Sequence, residues 1–312
     1  MAKSIRVVYG EKLAEMGNTH SDLVVLDADV SSSTQTKFFA AAHPDRFFNM
    51  GIAESNMVST AAGLAQQGLV PFVNTFAVFV STLGLIATRG LACYANLNVK
   101  LAGAYCGLSD AFDGASHHAL EDMATLRALP NMRVLVPCDA QASGALTELA
   151  YQTPGPVYLR LSRDVYPDLY PADQKFELGK GNIVRGGTDV TVIACGILVH
   201  KALAAAEALE KKGVSVRVVD MYSVKPIDAA LIEKCACETG AIVTAEEHSV
   251  MGGLGSAVAE ALVQSSRPVP VEMVGVHDTF TESGPYAQLL PKYGLDEAAV
   301  AAAIEKVLAR KQ

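Results

Sequence analysis

The sequence predicts an α/β protein of two domains, each an open, mostly parallel sheet flanked by helices. Three observations carry this reading. Short apolar runs alternate with longer segments of helical spacing, the alternation lapses over residues 163–187 into a stretch rich in Pro, Asp and Gly, and it then resumes. A chain of 312 residues, half of them hydrophobic, divides naturally in two, because domains commonly run to about 100–200 residues. The expected boundaries are a first domain over 1–163, a linker over 164–187 and a second, smaller domain over 188–312.

Taken in order, DLVVLD (22–27) and RFFNMG (46–51) read as strands. A helix follows from Glu54, placing Met57, Ala61 and Leu64 on one face and stopping at Gly68. PFVNTF (71–76) is a strand, followed by a helix reaching Cys93–Asn96; the strand KLAGAYC (100–106) leads into a polar, glycine-bearing loop. Then come a helix over 119–129, a strand over 132–138, a helix over 140–153 and a strand over 156–162. Helices of this length between strands argue for parallel βαβ units and a sheet covered on both faces. The second alternation runs through strands at 189–195, 214–221, 241–247 and 270–276. Helices are expected at 199–213 and 228–240, near the GGLGS turn (252–256), and from Asp296 onward.

Composition narrows the function classes. A net charge of -8 disfavours nucleic-acid binding, which relies on a basic face, so any anionic ligand must meet local Arg or Lys. No signal peptide is recognisable, and no stretch reaches the ~18 uninterrupted apolar residues of a membrane span. The expectation is a cytoplasmic protein without membrane contact. Six cysteines (93, 106, 138, 195, 235 and 237) are scattered without paired CxxC spacing and read as reduced core thiols. With no HxxxH, HExxH or Cys/His grouping, no metal ligands are expected in this chain.

Several residues could carry chemistry, each with a plainer alternative. Glu54 opens a helix, where a carboxylate answers the positive end of the dipole; it could equally be a carboxylate held in a dry crevice at a strand end. Phe76 and Phe79 are either core or two faces for a flat heterocycle. Asp113, His117 and His118 sit in a strand-to-helix loop, the usual place for ligand contacts, but also for solvated or capping side chains. Arg160 and Arg163 are either surface ion pairs or a fork for a phosphate or sulfonate at the carboxyl edge of the sheet. GGLGS reads as a tight turn rather than a dinucleotide fingerprint. Glu246, Glu247 and His248 suit an interface or a role supporting the site.

The ordered set LDADVSSST, NMGIAESNM, PFVNTFAVFVS, FDGASHH, LSRD and EEHSVMGGLGS resembles the carboxyl-terminal part of the transketolase family across nearly the whole chain. The resemblance implies a thiamine-diphosphate pyrimidine-binding domain followed by the transketolase C-terminal domain. It implies that Glu54 hydrogen-bonds a ring nitrogen of the cofactor's aminopyrimidine. Asp29, Ile52, Phe76 and Phe79 would lie near the cofactor. Asp113 and His117 would contact sugar hydroxyls, His117 being counted with Glu54 as catalytic, and Arg6, Ser33 and Arg163 would hold the sugar phosphate. The chain departs from the family at Tyr105, where many members have His, which opens the choice of substrate. The family's GDG motif, followed by an Asn that ligates the cofactor's divalent metal, is absent. The implied enzyme is therefore a split transketolase moving a two-carbon unit from a ketose phosphate to an aldose. Its partner subunit would carry the diphosphate domain and the Mg2+ or Ca2+ ligands, in a heterotetramer with two copies of each chain. The alternatives are the β-subunit of a 2-oxo-acid dehydrogenase, which shares the Glu, deoxyxylulose-phosphate synthase, and a non-catalytic interaction protein that keeps the fold.

Overall fold

A computed structural model describes residues 3–311. Its first half runs α1 (Ile5–Gly17), β1 (Leu23–Asp27), α2 (Ser31–Thr34), α3 (Lys37–Ala42), β2 (Phe47–Asn49), α4 (Glu54–Gln66), β3 (Val70–Phe76), α5 (Ala77–Ser81) and α6 (Leu85–Ala87). It continues through β4 (Lys100–Ala104), α7 (Asp122–Arg127), β5 (Arg133–Leu135), α8 (Ala140–Gln152) and β6 (Val157–Leu161). The second half runs β7 (Asn182–Arg185), β8 (Val190–Ala194), α9 (Leu198–Glu210), β9 (Val216–Asp220), β10 (Ser223–Lys225) and α10 (Ala229–Thr239). It closes with β11 (Ile242–Ser249), α11 (Leu254–Val263), β12 (Val271–Val276), α12 (Tyr286–Lys292) and α13 (Glu297–Leu308).

The strands form two sheets, ordered β10-β5-β6-β4-β3-β1-β2 and β12-β11-β8-β9-β7. Every pairing is parallel except β10 on β5 and β7 on β9, both at sheet edges. Strands buried on both sides need continuous apolar runs, and β1, β4, β6 and β8 are buried at every position. The covering helices turn apolar faces inward, as with Ile5, Tyr9, Leu13 and Met16 of α1. Side-chain caps start three of them: Asp139, Asp228 and Asp296 accept from the amides of Ala142, Leu231 and Ala299. Gly240, at φ +69°, lets the chain leave α10 in the left-handed region.

Four expectations need correction. The single helix expected over 77–96 is broken into α5, α6 and a wider-pitched turn over Thr88–Cys93. Ser81 and Thr82 hydroxyls donate to carbonyls of the preceding turn, and the Gly84 amide bonds to Phe79 O, so the ladder is interrupted where a helix would have to continue. The stretch expected as pure linker contains β7, and Tyr170 and Phe176 from it are buried in the core. Strand β10, unseen in the sequence, crosses from the second half of the chain to extend the first sheet, so the two sheets are stitched at an edge. Five cysteines are buried, but Cys237 is exposed. Among the described residues, no helix is long and apolar enough to cross a membrane.

Candidate active site

In the first sheet β1 has β2 on one side and β3 on the other, so successive connections leave in opposite directions and open a crevice beyond the carboxyl ends of the strands. The candidate residues gather there. Asp29 follows β1, Glu54 follows β2, Phe76 ends β3, Tyr105 follows β4 and Arg163 follows β6. The loops between strand and helix carry the chemistry while the sheet fixes their origins.

Glu54 is the first residue of α4 and only 5% exposed. Its Oε1 accepts from Thr75 Oγ1 at 3.1 Å; among the described residues, Oε2 has no hydrogen-bond partner. A buried carboxylate with one oxygen free is suited to a donor from a bound molecule. One residue further along β3 than Thr75, Phe76 lies 5.8 Å from Phe79 between ring centroids at 45°, and His117 sets its ring edgewise against both, at 5.8 and 5.2 Å. Tyr105 closes the group with an edge contact to Phe76 at 5.0 Å. Four rings from two strand ends, helix α5 and a loop form an aromatic wall, the kind of surface that receives a planar heterocycle.

Beyond Tyr105 lies a cationic corner. Arg6 from α1 donates from Nη1 to Tyr105 Oη at 3.0 Å and to the backbone oxygen of Ser33 at 2.7 Å. The guanidinium carbons of Arg6 and Arg163 lie 5.0 and 5.1 Å from the Tyr105 ring centroid, so both cations rest against one phenol. Among the described residues, the buried Arg6 Nε has no hydrogen-bond partner. Arg163 keeps 39% of its side chain exposed, and its one ion pair among the described residues is with Asp110, at 3.6 Å. Burial, then the charge of Asp113, pushes the Asp110 carboxyl up to about 6. Two guanidiniums with unused donors make a fork for an anionic group.

The structure thus brings together Phe76, Phe79, His117, Tyr105, Arg6, Arg163 and the Ser33 carbonyl, with Glu54 joined to Thr75, the residue before Phe76. Asp113 is exposed on the same loop as His117, whose Nδ1 lies 2.9 Å from Ser116 Oγ. Asp29, at φ +66°, accepts from Asn49 Nδ2 at 2.7 Å, and Ile52 is 83% exposed; among the described residues no hydrogen bond joins either to the aromatic group. Arg160 is not available to a ligand. It is 2% exposed and donates to Asp122 from Nε (2.7 Å) and Nη2 (3.1 Å), and to the Ala119 and Glu247 carbonyls. The GGLGS segment turns at Gly252 and Gly253 and then opens α11, whose Leu254 and Gly255 amides donate to the Glu246 carboxylate at 2.7 and 2.8 Å. His118 is buried with its Nδ1 2.6 Å from Thr281 Oγ1.

Sequence reasoning passed over Thr75 and Asp110. Both stand inside stretches already singled out, NTF and GLSDAFDG, but their partners are 21 and 53 residues away, and nothing local announces them.

The family model for the transketolase pyrimidine binding domain matches residues 1–168, and that for the transketolase C-terminal domain matches residues 179–300. A solved structure described as a split gene transketolase, inactive beta4 tetramer, superposes with a TM-score of 0.92 at 48% identity, covering 100% of both chains. A 6-deoxy-6-sulfo-D-fructose transketolase subunit of Clostridium sp. (strain MSTE9) is 39% identical over 308 residues, 98% of this chain and 95% of that one. Human transketolase is 38% identical over 98% of this chain, which matches 49% of its length.

Proposed function

The chain belongs to the transketolase family, and on that premise we propose that it is the subunit of a split, thiamine-diphosphate-dependent transketolase that moves a two-carbon ketol unit from an anionic ketose to an aldose. The observation that carries this reading is the convergence of a buried, half-satisfied carboxylate, an aromatic wall and a two-arginine corner at the switch point of one sheet.

The family depends on thiamine diphosphate, and the residues present fit its pyrimidine end. Glu54 would meet a ring nitrogen with its free oxygen, and Phe76 and Phe79 would face the ring. When bound, the cofactor supplies a carbon nucleophile toward ketose carbonyls and holds the electrons of the two-carbon unit between donor and acceptor. Everything else falls to the protein. Glu54 would hold a proton at the pyrimidine edge, from a side chain that is itself buried. Thr75 fixes its carboxylate plane. His117, braced by both phenylalanines, orients and exchanges protons with sugar hydroxyls, and Asp113 binds beside it. Arg6 and Arg163 hold the acidic end of the sugar, with the Ser33 segment anchoring Arg6 and Tyr105 spacing the two guanidiniums. Asp29 and Ile52 line the outer approach to the cofactor.

The partner would be a chain carrying the GDG motif and the Mg2+ or Ca2+ ligands; the match of this chain to the pyrimidine binding and C-terminal domains supports that division. The solved relative described as an inactive β4 tetramer supports a chain of this type needing a second kind of subunit. Leu83, Ile86, Leu91 and Tyr94 are exposed apolar side chains on one short segment, a surface suited to burial in an assembly. A heterotetramer with two copies of each chain satisfies these points. The sulfosugar relative makes a sulfonate as acceptable as a phosphate at the arginine corner. Native mass spectrometry of the tagged chain drawn from its own cells tests the reading. A stoichiometric partner bearing GDG is expected, and recovery of homo-oligomers alone defeats the two-subunit scheme.

A further inference from the structure

The loop that bears Asp110, Asp113 and His117 is held largely from the other domain. Its neck is closed by paired backbone bonds, Gly107 N to Ala119 O at 3.1 Å and Ala119 N to Gly107 O at 3.0 Å. Outside the neck, Gly284 N donates to Ala111 O at 3.0 Å, Ser249 N to Leu120 O at 2.8 Å, and Thr281 Oγ1 meets His118. Glu247, near the end of β11 and 2% exposed, occupies the centre of this contact. One oxygen, Oε1, accepts from both Leu108 N (2.8 Å) and Tyr286 Oη (2.9 Å). Gly107 stands against the carboxyl group: a Cβ there would come within 2.3 Å of Glu247 Cδ, at a backbone φ of +61°. The strand itself is pinned, because Arg160 Nη2 donates to the Glu247 carbonyl at 2.9 Å. Burial pushes the Glu247 carboxyl up to about 7, a cost that filling space does not require and an apolar side chain would avoid.

We infer that Glu247 of the second domain is a positioning residue for the substrate-contacting loop of the first, setting the stance of Asp113 and His117 through Leu108, so that the second domain shapes the sugar site without touching the sugar. This rests on the reading of that loop as sugar-binding. Because both donors converge on a single oxygen, glutamine can supply the same acceptor while alanine cannot, which separates positioning from bulk and charge.

The test uses hydrogen exchange on the full chain, in complex with its partner, for wild type, Glu247→Ala, Glu247→Gln and Gly107→Ala. The expected result is exchange at least about 10-fold faster over residues 108–118 in Glu247→Ala and Gly107→Ala, recovery of most of the protection in Glu247→Gln, and unchanged exchange in β8 and α9. In the same complex, the KM for the donor sugar rises about 10-fold in the alanine variants while kcat changes less than about 3-fold. Equal protection in all four proteins overturns the inference, as does loss of protection spread through the second domain in the glutamine variant. If Glu247→Ala does not fold, Gly107→Ala carries the comparison. A wild-type complex that transfers no two-carbon unit sinks the enzymatic reading while leaving the exchange result to decide the loop's support.

Discussion

Two polar clusters border the first sheet, and they are built differently. In the cluster between the domains, Asp122 receives Arg160 through two bonds and Tyr158 Oη through a third, at 2.6 Å, and His248 Nε2 stands 3.8 Å away. Burial alone would raise the Asp122 carboxyl; Arg160, then His248, more than offset it and hold it below the usual carboxylate range. Little capacity is left over. In the cluster at the strand ends, among the described residues, Glu54 has one oxygen engaged, Arg6 keeps a buried Nε without a partner, and Arg163 has a long ion pair to Asp110 beside the Tyr105 ring. Arg160 and Arg163 sit three residues apart on one strand and its exit, yet the first is spent on the fold and the second is open to a ligand. The lesson is that saturation, rather than residue type or sheet position, distinguishes structural charge from functional charge.

Substitutions in the two clusters should therefore fail in different ways. In the open cluster, Glu54→Gln is expected to lower kcat of the reconstituted complex by about 10²–10⁴-fold, the range typical of removing a proton-handling group, with the denaturant midpoint nearly unchanged. A parallel fall in stability would erase the contrast. In the closed cluster, Asp122→Ala leaves a buried guanidinium unpaired and should cost about 3–5 kcal/mol in urea unfolding, whatever remains of activity. Arg163→Ala sharpens the difference within one strand: stability should shift by less than about 1 kcal/mol, while the KM for an anionic sugar rises about 10–100-fold. Tyr105→Phe removes the phenol acceptor of Arg6 but keeps the ring, so steady-state kinetics should show KM higher by about 2–10-fold with kcat little changed.

The smallest expected effect is one of pH. Asp110 titrates near 6, above its ordinary value, so the folded chain binds its proton more tightly than the unfolded chain between about pH 4 and 6. Its contribution to stability is present below about pH 4 and is lost as the pH rises through 6. Above that, its carboxylate competes with the ligand for Arg163. The KM for the anionic sugar should thus fall a few-fold between pH 7.5 and 5.5, and Asp110→Asn should remove that part of the profile. An unchanged profile in the variant would mean that Asp110 and Arg163 are not coupled.

The sheets were legible because fully buried parallel strands demand apolar runs, and DLVVLD, KLAGAYC and DVTVIAC supply them. The break after Ser81 was not, because the apolar segment reads as a helix until one knows that Ser81 and Thr82 turn their hydroxyls back on the backbone. Strand β10 was hidden because YSVK pairs with β5, across the domain boundary, and pairing partners are not written in local pattern. The same limit governs the site. Phe76 and Phe79 could be read from spacing, but the edgewise placement of His117 and Tyr105 against them, and the burial of Arg160 under Asp122, depend on chain segments 29–41 residues away.

The central claim is that this chain supplies half of a two-carbon transfer site. A donor ketose labelled with carbon-13 in its first two carbons, incubated with an aldose, thiamine diphosphate and Mg2+, tests it when given to this chain alone, to the GDG-bearing partner alone and to both together. The label should appear in the acceptor product only in the mixture. Transfer by this chain alone, or none by the stoichiometric complex across phosphorylated and sulfonated ketoses, would contradict the claim.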